Sequence, residues 1–229
     1  MNVLITGGSR GIGFAIGKQL FSEGHKLMLV GRDPVHLANA QKELGADVVT
    51  AIADFARQDG PVAVKEQANA ASFNPDMLVL CAGTFFEEVL LDATTEHISE
   101  QIQVNLVSQV GMVQQFATDL KRAKGRVIII GSTAAFEPYA YGPIYGITKW
   151  ALRGLAENLR AELRPHYVGV TILHPGGTWT DLWKGVDLPR NRLLEPSDIA
   201  MLVSTMIRIS PQAVVDELII RPIEGDMHD

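Results

Sequence analysis

A single cysteine, Cys81, among 229 residues leaves no internal disulfide to form and is compatible with a reducing compartment. Runs of basic charge are nearly as scarce. The chain carries a formal charge of -6, and only "LKRAKGR" gathers cations, which excludes an evident nucleic-acid surface. No apolar stretch approaches the roughly 20 residues that span a bilayer, so no membrane association is expected. Room for a secretory leader is also lacking, because "MNVLITGG" enters a strand pattern at once and turns at Gly7. Cytoplasm is the expected compartment. The six histidines are scattered without H-x-x-x-H or H-E-x-x-H spacing, which predicts no metal site.

Apolar residues, at 47% of the chain, are plentiful enough for a buried core. They recur in short runs: "NVLIT", "HKLMLV", "ADVVTAI", "DMLVLC", "GRVIII", "GVTIL" and "ELIIRP". Each has the length of a strand buried on both faces. Helical patterns lie between them, over Ile12 to Phe21, Pro34 to Leu44, Thr95 to Lys121, Tyr145 to Leu163 and Pro196 to Ile209. Strand alternating with helix predicts an α/β fold, a parallel sheet of about seven strands with helices on both faces. With no repeat or linker, residues 1–229 read as a single domain. The longest irregular connection, about 177–195, reads as a flap.

The first strand runs straight into "TGGSRGIG" and then a helix, the setting in which backbone N–H groups can hold a pyrophosphate. Gly7, Gly11 and Gly13 would let that backbone approach a ligand closely, with Ser9, Arg10 and Ile12 between them. Further on, "GRVIIIGS" brings Ser132 to the carboxyl end of a strand. Tyr145 follows, and Lys149 stands four residues later, on the same face of a helix. Asn105 lies upstream in "VNL". Glycine turn, "CAG", Asn, Ser and Tyr-x-x-x-Lys come in the order and near the spacing of the short-chain dehydrogenase/reductase family. This sequence resembles the compact type of that family over nearly its whole length.

The resemblance implies a Rossmann-like, doubly wound domain that moves hydride between a nicotinamide dinucleotide and a carbonyl or secondary alcohol. Catalysis would fall to Ser132, Tyr145, Lys149 and Asn105. A phenol, with an ordinary pKa of about 10, is a poor proton donor at neutral pH, and a neighbouring ammonium lowers that value. Lys149 is therefore expected to tune Tyr145 and, by resemblance, to hold the nicotinamide ribose. Ser132 would bond the substrate oxygen. Asn105 would hold a water that resupplies protons to Lys149.

The cofactor is expected to be NADP(H) rather than NAD(H). At the end of the second strand "LVGRDP" offers Arg32 to a 2'-phosphate, and Arg10 adds a second cation. Asp33 either bonds the ribose or caps the helix that Pro34 opens. Asp54 and Phe55 would hold the adenine, although Asp54 serves equally as a helix cap. Cys81, Ala82 and Gly83 stand where the family shows the end of N-N-A-G, with Leu80 and Cys81 in place of the asparagines. After the sixth strand, Pro175, Gly176 and Thr178 match the segment that contacts the nicotinamide amide. His174 before them reads as structural.

The residues expected to face substrate are Thr84, Phe85 and Phe86, then Phe136, Tyr139 and Tyr141, and in the flap Trp179, Leu182 and Trp183. Their aromatic character suits an apolar or ring-bearing carbonyl compound. A homodimer or homotetramer is expected by resemblance. Met112, Val113, Phe116, Leu152, Leu155 and Leu159 serve either that contact or the core. Two other functions fit the same motifs: reduction of a 3-oxoacyl group on a carrier protein, and non-catalytic sensing of NADP.

Overall fold

The computed structural model describes residues 1–140 and 142–226, so Tyr141 lies outside the described residues. Seven strands form one sheet: β1 (Asn2–Thr6), β2 (Lys26–Gly31), β3 (Val49–Ile52), β4 (Met77–Leu80), β5 (Arg126–Ile130), β6 (Gly169–Pro175) and β7 (Glu217–Ile220). The order is β3-β2-β1-β4-β5-β6-β7, and every adjacent pair is parallel. Parallel neighbours need crossovers, and these are supplied by α1 (Gly11–Ser22), α2 (Pro34–Leu44), α3 (Gly60–Ala70), α4 (Thr95–Ile102), α5 (Ser108–Ala123), α6 (Pro143–Leu163) and α7 (Pro196–Arg208).

Alternation along the strands divides the apolar residues between two cores. Leu4, Met28, Leu78, Val127 and Val170 face α3, α5 and α6, where they meet Val64, Phe116 and Leu152. Their neighbours Val3, Leu27, Met77, Ile128 and Leu173 face α1, α2 and α7, against Ile16, Leu37 and Val203. Both faces are covered, which is why these strands read as continuous apolar runs. Met112, Val113, Phe116 and Leu152 are buried in the first core, with Leu155 and Leu159 packed on it. Met112, Val113, Phe116 and Leu152 are therefore core residues, while Leu155 and Leu159 stay half-buried at its edge. No helix among the described residues is long and apolar enough to cross a membrane.

The structure departs from the expected elements in two places. Helix α3, "GPVAVKEQANA", goes unread in the sequence because its apolar positions are few and small. The pattern from Thr95 to Lys121 is also not one helix: α4 and α5 are separated by a π-helical segment over Gln103–Val107. The wider turn there carries Asn105 to Thr84, whose N–H it accepts at 2.7 Å and to whose carbonyl it donates at 2.9 Å.

Between β6 and α7, the segment 177–195 holds two short 3-10 turns, Asp181–Trp183 and Arg190–Arg192. Its base is closed by Trp179 N donating to Leu194 O at 2.8 Å and Leu194 N to Gly177 O at 2.9 Å. The connection leaves the sheet and returns to α7, which a Glu195–Asp198 capping box opens.

Candidate functional site

In an all-parallel sheet every strand points its carboxyl end to one rim, and the order reverses between β1 and β4. A cleft of ≈ 600 Å³ opens at that rim. The segment after β1 forms one wall. Gly7 sits at φ +66°, and a Cβ on Gly13 would fall 2.3 Å from the Gly7 carbonyl. Only glycines leave this turn so close to the start of α1. Arg10, at the N-cap of α1, makes no side-chain cap bond, and the first residues of α1 line the cleft without a capping oxygen. That arrangement fits an anionic group such as a pyrophosphate.

All the residues expected to hold a dinucleotide line this cleft, from Gly7, Ser9, Arg10, Gly11, Ile12 and Gly13 through Arg32, Asp54 and Phe55. Cys81, Ala82 and Gly83 complete the middle of the wall, and Pro175, Gly176 and Thr178 its far end. Asp33 is turned away. Its Oδ1 accepts from Val35 N at 2.8 Å and His36 N at 3.0 Å, and these bonds, that from His36 foremost, hold its carboxyl below the usual range. It caps α2, and Arg32 is left on the cleft. Arg10 pairs with Asp181 of the 177–195 segment at 2.8 Å, an exposed contact that bridges the cleft mouth. Asp54 accepts from Ala56 N at 3.0 Å and so turns the local chain as well as lining the wall.

The "LCAG" departure has a local compensation. Thr6 Oγ1 accepts from Cys81 N at 3.0 Å and Ala82 N at 3.1 Å, tying the end of β4 to β1. Gln109 donates to Ala82 O at 2.7 Å from the other side. Burial pushes the Cys81 thiol up to about 11, so it behaves as a small apolar residue.

Ser132, Tyr145 and Lys149 meet deeper in the cleft. The Ser132 hydroxyl is hydrogen-bonded to Tyr145, and it also accepts from Ala134 N at 3.2 Å. Lys149 Nζ lies 5.2 Å from the Tyr145 ring centre and donates to Ile130 O at 3.1 Å. Burial acts oppositely on the two groups. It raises the Tyr145 phenol above its ordinary value, against a lowering by Ser132, and depresses the Lys149 ammonium to about 8. The expected lowering of Tyr145 by Lys149 is not among the influences on the phenol: burial sets the upward direction, and only Ser132 opposes it.

Asn105 does not line the cleft. Its side chain is engaged by Thr84 and by Thr148 Oγ1 at 3.1 Å, so it clamps the chain after β4 to α6. Of the expected substrate-facing residues, Thr84, Phe85, Tyr139, Leu182 and Trp183 are in the wall. Phe85 stands edge-on to Tyr145 at 5.5 Å. Three others are elsewhere: Phe86 stacks on His97, Phe136 packs against His174 and Arg153, and Trp179 donates to Arg190 O. Two acids were missed. Asp181 was legible as an acid in the flap, but its partner was not; Asp226, near the chain end, carries no motif and yet borders Gly176 in the wall. Among the described residues no group of three or more His, Cys, Asp or Glu side chains could hold a metal.

The family model for short chain dehydrogenases matches residues 1–191. An uncharacterized oxidoreductase of Staphylococcus epidermidis is 28% identical over 221 residues, 96% of each chain. The alcohol dehydrogenase of the archaeon Thermococcus sibiricus, solved with 5-hydroxy-NADP, is 28% identical, with a TM-score of 0.89 over 97% of this chain and 96% of its own. A metagenomic short-chain oxidoreductase solved with NADP is 31% identical, with a TM-score of 0.84 over the same shares. A match through the glycine turn, the Ser-Tyr-Lys cluster and the segment after β6 places this chain in the short-chain dehydrogenase/reductase family, to which it belongs.

Proposed function

We propose that this oxidoreductase interconverts a carbonyl compound and its alcohol with NADP(H), and that Tyr145 is the general acid and base. The observation that carries the reading is the bonded Ser132–Tyr145 hydroxyl pair with Lys149 Nζ beside the ring, in the deep end of a cleft whose mouth fits a dinucleotide. A reduced nicotinamide supplies hydride to the carbonyl carbon when bound. Negative charge then grows on the oxygen, where Ser132 and Tyr145 can both donate. Tyr145 gives up its proton there, and the adjacent Lys149 ammonium stabilises the phenolate that remains. With a pKa of about 8, Lys149 can pass a proton onward near neutral pH.

Several observations support the finer choices. Asp33 is occupied as a helix cap while Arg32 lines the cleft, which favours a 2'-phosphate. The Arg10–Asp181 pair is largely exposed, and such pairs contribute at most about 1 kcal/mol, so a phosphate can compete for Arg10. Phe85, Tyr139, Leu182 and Trp183 suit an apolar or aromatic carbonyl compound. A carrier-protein substrate is less favoured because arginines of the flap and of the segment after β7 pair with carboxylates: Arg190 with Glu195, Arg192 with Glu224 and Arg221 with Asp226. Retention of Ser132, Tyr145 and Lys149 in contact disfavours a purely sensing role. A cytoplasmic location accords with this cofactor chemistry.

We propose that subunit contact is made by exposed residues on and beside the helices that carry Asn105 and Tyr145, rather than by their buried stripes. Ile102, Val107, Ile147 and Trp150 are exposed by 37%, 46%, 52% and 49%, and they lie on or beside α4 and α6. A homodimer or homotetramer through this face would cover them. In sedimentation velocity, Trp150→Glu is expected to yield a smaller species than the wild type; a monomeric wild type refutes the assignment.

Tyr145→Phe should bind NADPH as the wild type does, by fluorescence titration, and lose about 100-fold or more in kcat on ketones. Retained turnover would overturn the role of Tyr145. Arg32→Ala is expected to weaken NADPH about tenfold or more and to leave NADH unchanged; equal losses for both would reverse the cofactor assignment. Lys149→Met bears on energetics. Its folded pKa of about 8 lies below the ordinary 10.5, so the unfolded chain binds more protons between those values and stability rises with pH across them. Urea unfolding should therefore show the Met variant more stable than the wild type below pH 8, with the gain shrinking toward pH 10.5. An unchanged difference across that window contradicts the assignment.

A further inference from the structure

His174 is wholly buried, at 0% exposure, on β6 immediately before Pro175. Its Nδ1 lies 3.0 Å from the Ser132 carbonyl oxygen and 3.4 Å from the Ser132 nitrogen. Its Nε2 lies 3.0 Å from Glu217 Oε1 on β7. Glu217 in turn takes Arg153 of α6 in a two-pronged contact, from Nε at 2.7 Å and from the second guanidinium nitrogen at 3.2 Å. The Arg153 guanidinium lies 4.6 Å over the Phe136 ring, and Phe136 stands edge-on to His174 at 4.8 Å, which closes the circuit. The fit is tight: a Cβ on Gly131 would fall 2.6 Å from Nδ1.

A satisfied buried histidine is commonly just part of a core. This one differs in what it joins. One end holds the main chain of Ser132, and the other, through Glu217, holds Arg153, one helical turn beyond Lys149 and two beyond Tyr145 on the same face of α6. We propose that His174 is a positioning residue, anchored by Glu217 and Arg153, that sets the Ser132 hydroxyl against Tyr145. The inference rests on the reading of Ser132 and Tyr145 as the ligands of the substrate oxygen.

The ring's protonation alters the contact. Doubly protonated, it donates to the Ser132 carbonyl and to Glu217. With its single proton on Nε2 it keeps Glu217 and presents the Nδ1 lone pair to the Ser132 N–H. The charged groups facing it are Glu217 from β7 and Arg153 from α6, while the end of β5 and the turn after it offer the Ser132 main chain and the Phe136 ring. Burial lowers the His174 pKa more than the Ser132 carbonyl and Glu217 raise it, so the neutral ring prevails at pH 7. Acidification then moves Ser132.

The test uses three variants: His174→Leu, similar in size without a hydrogen-bonding group; His174→Asn, whose side-chain oxygen can accept from the Ser132 N–H near the Nδ1 position; and Glu217→Gln, at a partly exposed site. With His174→Leu, kcat should fall about 10- to 100-fold at unchanged NADPH affinity, and Asn should recover most of it. Glu217→Gln removes an anion that raises the His174 pKa, so the acid limb of kcat should move to lower pH. A purely structural role would lower thermal stability in all three and leave kcat per folded molecule and its pH limb as in the wild type, which overturns the proposal. Should Leu and Asn not fold, Glu217→Gln decides it alone. The ¹⁵N resonance of Ser132 provides a readout independent of turnover. It should shift between wild type and Glu217→Gln at one pH, and no shift overturns the inference even where no carbonyl is reduced. A wild type that reduces nothing, with the Ser132 shift present, defeats the proposed function and leaves the positioning role standing.

Discussion

Everything in this molecule follows from the parallel sense of its sheet. Parallel strands deliver all seven carboxyl ends to one rim, and the reversal between β1 and β4 leaves no crossover helix to cover the gap there. The loops after β1, β4, β5 and β6 therefore converge, although they are far apart in sequence. Each contributes one kind of chemistry: N–H groups from the glycine turn, a backbone wall at 81–84, Ser132, and the segment from Pro175 to Thr178. The two cores hold this rim rigid. Thr6 and Gln109 fix the end of β4 from opposite sides, so the departure at Leu80 and Cys81 does not loosen the wall.

Burial both stabilises the fold and strains its chemistry. Lys149 is 6% exposed, and its hydrogen-bond acceptor is a neutral carbonyl rather than a carboxylate. A cation held in this way favours its neutral form, which accounts for the depressed value, and an anion developing beside it would reverse that preference. Tyr145 shows the opposite displacement for the same reason. The two groups are therefore unfavourable singly and favourable once a proton leaves the phenol. A surface Tyr–Lys pair lacks this dependence, because water would screen both. The twenty-one-residue helix α6 holds them in register, and Asn105 and Arg153 fix that helix to the chain after β4 and to β7.

Legibility in the sequence depended on how local each signal was. The strands were readable because burial on both faces leaves continuous apolar runs, and α2 was readable to the residue because Asp33 and Pro34 mark its start and Gly45 its end. The cleft wall was readable from ordered motifs. Helix α3 was not, since Ala, Asn and Gln give little periodicity and its packing is settled by the sheet. The π-helical segment was likewise hidden: it answers to a hydrogen bond with Thr84, a partner 21 residues away. Met112 and Phe116 were ambiguous because an apolar stripe looks alike facing a core or a subunit. Phe136 was misjudged for a related reason, as its partner Arg153 stands on a different element.

The flap is held unevenly at its two ends. At its base, backbone bonds join Trp179 to Leu194 and Leu194 to Gly177, and Arg192 donates to the carbonyls of Gly225 at 2.8 Å and Asp226 at 3.0 Å. Its tip meets the glycine turn through the exposed Arg10–Asp181 pair and through Thr180, whose methyl would lie 3.3 Å from a Cβ on Gly11. Backbone bonds shielded by packing persist under conditions that weaken exposed ion pairs. The tip is therefore the part free to exchange partners while the base stays in register. Arg10 stands where either Asp181 or a phosphate can pair with it, so an anion in the glycine turn would take the cation that now secures the tip. The glycine turn and the flap tip that carries Leu182 and Trp183 are thereby joined through a single ion pair.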